Sequence, residues 1–171
     1  MCLSTYLVIR PPGREREVLL GRLDPTAPWF EIAALEPSRV ERIGSQWLLP
    51  SSQLVFFESP DTSAERIARE QLRAPLPPRE GFSVHSEAYG RPNAPATDPH
   101  WDLHFVYRYR WPTARPPPKG PWAELAFVDL DTISPEEIGR GQADVLALVG
   151  LAPKGEPAPA AVSGSARTRR R

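Results

Sequence analysis

The stretch from Glu58 to Glu70 concentrates side chains able to do chemistry: Glu58, Asp61, Glu65 and Glu70 are acidic, Arg66 and Arg69 basic. Carboxylates gathered on one helix face suit Mg²⁺, a hard cation that takes oxygen ligands, helps generate hydroxide and neutralises phosphate charge. Spacing decides whether they gather. Glu65 and Glu70 are five positions apart, about 140° around a helix of 3.6 residues per turn, so they do not converge on one ion. Glu65 precedes Arg69 by four positions and Arg66 precedes Glu70 by four, the arrangement of ordinary helix-surface ion pairs. Glu58 with Asp61 and Glu65 makes a weaker, displaced cluster.

A second group alternates along an extended run: His100, Asp102, His104, Val106 and Arg108 share one face, and Trp101, Leu103, Phe105, Tyr107 and Tyr109 the other. His100, Asp102 and His104 have the chemistry of metal ligands, or of an acid and base beside a pocket. Positions two apart on a strand are separated by about 6–7 Å, so one ion would need a further ligand. The simpler reading is a polar sheet face with hydrogen-bonded histidines. The aromatics suit stacking on a nucleobase, but a sheet covered by helices needs the same residues for its core. Arg108 and Arg110 suit phosphate pairing, although solvated strand positions account for them as well. Cys2 would become an N-terminal nucleophile on removal of Met1; without a supporting motif it reads as a passive thiol.

Taken together, Trp47, Pro50, the Glu58-Ser59-Pro60 step and Arg69-Glu70 resemble a Nudix box. That family hydrolyses diphosphate linkages with the pattern G-x5-E-x7-R-E-U-x-E-E-x-G-U, U being a bulky aliphatic residue. The resemblance implies a Nudix-like α/β/α sandwich with a mixed sheet, and a nucleotide or other phosphate-containing ligand bound between the sheet and the box helix. It assigns Glu58 and Glu70 as catalytic, Arg69, His100, Asp102 and His104 as binding residues, and a Glu58-to-Arg69 contact as a brace. Mg or Mn enters only if the protein is catalytic. In this register the box is degenerate. Ser51-Ser52 replace two glycines, three extra residues separate Glu58 from Arg69, and Arg73 and Ala74 stand where two more carboxylates belong.

The elements that must position these groups are legible in outline. Ser59 caps a helix, Pro60 suits its first position, and Asp61 favours the positive end of its dipole. Ala64, Ile67, Ala68, Gln71 and Leu72 recur at helical spacing, and Pro75 stops the helix near Ala74. Before it, Ser4 to Arg10 and Val18 to Leu23 read as paired strands around a Pro-Pro-Gly turn. Trp29 to Leu35 and Ser45 to Leu49 extend the sheet, with Pro37 and Arg39 to Arg42 as connection. After it come strands over Phe82 to Tyr89, His100 to Trp111 and Ala123 to Leu130, with a proline-rich loop over Arg91 to Pro99. A closing helix is announced by Ser134-Pro135-Glu136-Glu137 and stopped at Gly150.

Length and composition set the frame. The 171 residues fit one domain, 1–151, followed by a Pro/Ala/Gly/Ser-rich basic tail, 152–171, read as disordered. Lys+Arg 21 balance Asp+Glu 21, which makes nucleic acid an unlikely partner, although the tail carries a local basic excess. One cysteine excludes an intrachain disulfide, and no apolar run has membrane-spanning length, so a cytoplasmic protein with no membrane partner is expected. Three functions remain open. The preferred one is a Nudix-like domain binding a nucleotide or phosphate-containing ligand with weak or absent Mg-dependent hydrolysis. The others are an active hydrolase of nucleoside diphosphate derivatives, drawing donors such as Glu87 or Asp102 from outside the box, and a non-catalytic interaction scaffold.

Overall fold

The computed structural model describes residues 2–89 and 100–155. Its chain order is β1 (Cys2–Arg10), β2 (Glu17–Leu23), α1 (Trp29–Ala33), α2 (Pro37–Ile43), β3 (Ser51–Gln53), α3 (Pro60–Ile67), β4 (Arg79–Tyr89), β5 (His100–Arg110), β6 (Trp122–Asp129) and α4 (Gln142–Leu148). Four strands make a mixed sheet in the order β3-β1-β5-β4, with β1 and β5 parallel and the other pairs antiparallel. β2 and β6 form a separate antiparallel pair. The expected pairing of β1 with β2 is therefore wrong: β3 and β5 occupy both edges of β1, and β2 turns away to its own sheet.

Two further expectations fail for one reason. Trp29 to Leu35, read as a strand, and Pro37 to Arg42, read as a connection, are both helical, because their buried positions follow the helical period: Trp29, Ile32 and Ala33 in α1, Val40 and Ile43 in α2. The Ser45 to Leu49 run adds only isolated bridges, Leu48 to Gly21 and Trp47 to Ile138. At the C-terminal end the Glu137 carboxylate accepts from the Ser134 N–H (2.9 Å), but it caps only a 3₁₀ turn over Pro135–Glu137. Arg140 and Gly141 then take positive φ (60° and 65°), and α4 starts after them.

The sheet has a core on each face. On one, Leu7, Ile9, Tyr107 and Tyr109 pack against Ala64, Ile67 and Leu72 of the box helix and against α1 and α2. On the other, Tyr6, Val8 and Val106 meet Val145 and Leu146 of α4. Burial of β1 on both faces explains its nearly unbroken apolar run. The packed body continues past Leu151, where the Lys154 N–H donates to the Leu130 carbonyl (3.2 Å). The loop read over Arg91 to Pro99, and the tail from 156 onward, lie outside the described residues.

One close approach lies inside the β2–β6 pair. A Cβ on Gly21 would lie 2.4–2.9 Å from three ring carbons of Trp122, a side chain almost wholly buried against Trp29. Gly21→Ala is expected to lower unfolding free energy by about 1–3 kcal/mol through overpacking, measured by urea denaturation.

Candidate functional site

The box helix is built largely as its sequence dictates. Ser59 Oγ accepts from the Thr62 N–H (3.1 Å), Pro60 occupies the first turn, and Tyr107 donates to the Asp61 carboxylate (2.7 Å), fastening the helix start to β5. Arg79 pairs with the same carboxylate at 2.9 Å. Burial and hydrogen bonding to Asp61 push the Tyr107 phenol well above its ordinary pKa, and burial pushes Tyr109 up to about 12. Past Ile67 the helix widens into a π turn over Ala68–Leu72 and ends at Arg73 with φ 54°.

The expected Glu58-to-Arg69 brace does not form. Glu58 is instead held by Arg66, with Nε donating to Oε1 at 2.7 Å and Nη2 to Oε2 at 2.8 Å. The same guanidinium donates to the carbonyls of Gln53 (3.0 Å) and Ile32 (3.3 Å) and to Ser52 Oγ (3.2 Å). Arg66 is therefore no ordinary surface residue, although its pairing with Glu70 at 3.8 Å is present. Glu58 and Arg66 stand eight positions apart, the Glu-to-Arg interval of the Nudix pattern. No lengthened loop or extra turn is needed. That interval is the signal that sequence reasoning passed over. Among the described residues Arg69 reaches only its neighbour Glu70, at 3.2 Å on the exposed side of the helix.

Beyond Arg66, the enclosed helix positions carry apolar or amide side chains. Ile67 is fully enclosed in the core, and Gln71, equally enclosed, accepts from the Ser51 N–H (3.2 Å) and donates to the Ser51 carbonyl (2.8 Å). From the other layer Gln142 donates to Ser51 Oγ (3.2 Å) and accepts from the Leu49 N–H (2.6 Å). Two buried amides thus clamp β3 from both sides of the sheet. Among the described residues no three His, Cys, Asp or Glu side chains are placed to share a metal ion. The displaced cluster of Glu58, Asp61 and Glu65 does not gather either, since Arg66 holds Glu58 while Tyr107 and Arg79 hold Asp61.

Asp102 and His104 sit on the face of β5 that looks toward α4, opposite the Tyr107 and Tyr109 face against which the box helix packs. They do not border a cleft with that helix as expected. They line a small polar cavity of 150 Å³ with Ser4, Tyr6, Arg39 and Arg140, which includes neither Glu58 nor Glu70. The Cys2 N–H donates to Asp102 (3.3 Å), whose other oxygen stands 4.0 Å from His104 Nε2. His104 is only 4% exposed, and its Nδ1 has no partner among the described residues. The side chain of His100 lies outside the described residues. Arg110 is taken up by Glu15 and Glu80 at 2.8 and 3.0 Å, which removes it as a phosphate ligand. A larger groove of 670 Å³ runs along Glu65, Arg69, Arg73 and Leu76 and contains none of the cavity's residues.

Hydrogen bonding from Arg66 lowers the Glu58 pKa below the ordinary glutamate value, and burial only partly opposes it. A carboxyl with a depressed folded-state pKa contributes stability fully above its unfolded value, near about 4.3, and loses it as pH falls through the lower folded value. Glu58→Gln is therefore expected to cost about 3 kcal/mol at pH 7, because the largely buried Arg66 is left with only the more distant Glu70 carboxylate. The gap from wild type should narrow below about pH 4, as read by urea titrations across pH.

Comparison with known proteins agrees with this architecture. No protein-family model matches the chain, and no curated protein sequence does. Among solved structures, a Nudix hydrolase from M. smegmatis superposes with a TM-score of 0.52 at 18% identity, covering 87% of this chain and 84% of that one. A Nudix hydrolase from Burkholderia pseudomallei gives 0.48 at 16% identity over 78% and 86%. The Nudix domain of NrtR from Shewanella oneidensis, solved with ADP-ribose, gives 0.49 at 13% over 76% and 73%. The mixed sheet between two helical layers, with a capped helix after β3, is thus a Nudix-like fold.

Proposed function

We propose that this chain is a Nudix-fold protein that binds a nucleotide or another phosphate-containing small molecule in the cytosol, with weak or absent Mg-dependent hydrolysis. The observation that carries this reading is the Glu58–Arg66 pair, which sets the register of the box. In that register the three acidic positions of the pattern fall on Ile67, Glu70 and Gln71, and its closing glycine falls on Arg73. One carboxylate of three remains. Glu70 is itself shared between Arg66 and Arg69, while the Gln71 amide is engaged by Ser51. These residues do not fit a divalent ion, which asks for several oxygen donors around one point.

The missing carboxylate cannot be reinstalled simply. Ile67 faces a closed core, and a glutamate there would bury an unpaired charge. Arg73 shows the same drift in backbone terms: a position suited to glycine is held by a residue for which positive φ costs about 1 kcal/mol. Support for ligand binding comes from the cavity of Ser4, Tyr6, Asp102 and His104, which groups hydrogen-bonding side chains, among them an imidazole nitrogen with no partner among the described residues, beside two arginines.

The test is a panel of nucleoside di- and triphosphates and ADP-ribose, assayed for binding and turnover with Mg²⁺ and with Mn²⁺. Saturable binding without release of phosphate or nucleotide is expected. Turnover abolished by Glu70→Gln would establish the hydrolase instead, and absence of both binding and turnover would leave the scaffold. Arg73→Gly is expected to raise unfolding free energy by roughly 0.5–1 kcal/mol, measured by thermal denaturation, and to bring no turnover with it.

A further inference from the structure

Three arginines outside the box line one groove. Arg39 and Arg42 stand on α2, and Arg140 stands in the positive-φ turn before α4. Together with Ile43 and Gln46 they line a groove of 360 Å³. Arg39 and Arg140 also line the smaller cavity holding Ser4, Tyr6, Asp102 and His104, so the two spaces meet at this pair. Among the described residues, none of the three arginines forms an ion pair with a carboxylate, whereas Arg10, Arg14, Arg16, Arg66 and Arg110 all do.

Arg42 has a local reason to be where it is, because the last turn of a helix favours a cation. Arg39 and Arg140 have none, and they oppose each other. Crowding around Arg140 disfavours its charged form, the Tyr6 phenol partly offsets this, and repulsion from Arg39 adds to it. Converging guanidinium groups without counter-charge are stabilised by an anion, and planar N–H forks match phosphate oxygens. The inner cavity differs in character: Asp102 accepts hydrogen bonds there, and Ser4 and Tyr6 carry hydroxyls.

We propose that Arg39, Arg42 and Arg140 form a metal-independent phosphate clamp, and that its ligand is a phosphomonoester or diphosphate whose organic part donates hydrogen bonds toward Asp102. This deepens the reading that the Ser4 to His104 cavity takes a phosphate-containing ligand, and it rests on that reading. Guanidinium groups then neutralise the phosphate charge for which the box retains too few oxygen ligands to recruit a cation.

The experiment is calorimetric titration of the full chain with AMP and with inorganic pyrophosphate, in EDTA and in Mg²⁺. Both probes are expected to bind in EDTA, with no tightening by Mg²⁺. An Arg39→Gln/Arg140→Gln double variant should weaken both at least tenfold. A charge-matched Arg14→Gln/Arg115→Gln variant should leave them unchanged, and denaturation midpoints of both variants verify folding. Undiminished binding by the first variant overturns the clamp while leaving the cavity reading intact. Binding that appears only with Mg²⁺ overturns the clamp and, if Glu70→Gln removes it, returns the site to the box. Failure of wild type to bind either probe under any condition overturns the clamp and the ligand-binding reading together.

Discussion

The structure around the box depends on one guanidinium. Arg66 places five hydrogen bonds on three chain segments: two on Glu58 in the loop before α3, two on Ser52 and Gln53 of β3, and one on Ile32 of α1. Its planar fork fixes the direction of each, so the loop, the short strand and two helices can adopt few other relative positions. A largely buried ion pair is a weak source of net stability, because both charges give up water. Breaking it from one side is costly, because the remaining charge stays buried. Arg66 therefore acts as a geometric constraint on the box more than as a reservoir of energy.

A second constraint runs through Ser51. Gln71 and Gln142 approach β3 from opposite helical layers and satisfy its backbone and hydroxyl groups with amides. A carboxylate at position 71 could accept from the Ser51 N–H but could not donate to its carbonyl. The amide closes both bonds without a cation. The neutral, fully enclosed Gln71 and the apolar Ile67 convert a helix face suited to carboxylate ligands into an ordinary wall of the fold. The same helix still caps, packs and turns correctly, which separates the architecture from the chemistry often associated with it.

Strongly patterned elements were legible from residues alone. The cap at Ser59 with Pro60, the alternation along β5, and the apolar runs of β1 and β2 correspond to elements that form. Short elements were not. Five residues of α1 carry too few turns for their period to outweigh bulky residues that also suit strands, and the seven of α2 are so charged that they read as a connection. The candidate site was legible in part. Glu58 and Glu70 lie close to Arg66, but Arg69 points outward, and Asp102 with His104 faces the other layer. Arg39 and Arg140 are about a hundred positions apart and belong to no shared motif, so only folding brings them together.

The sequence by itself determined which residue types are available to the box: one glutamate where three would be needed, a capped helix, and the eight-residue step from Glu58 to Arg66. It did so because local spacing and side-chain chemistry are written directly in the chain. Tertiary structure decided which arginine answers Glu58, which face of β5 each polar group occupies, and which cations, among the described residues, form no carboxylate ion pair. Those outcomes depend on groups meeting across layers, and the energy of a charge or an amide is set by what surrounds it once water has been excluded.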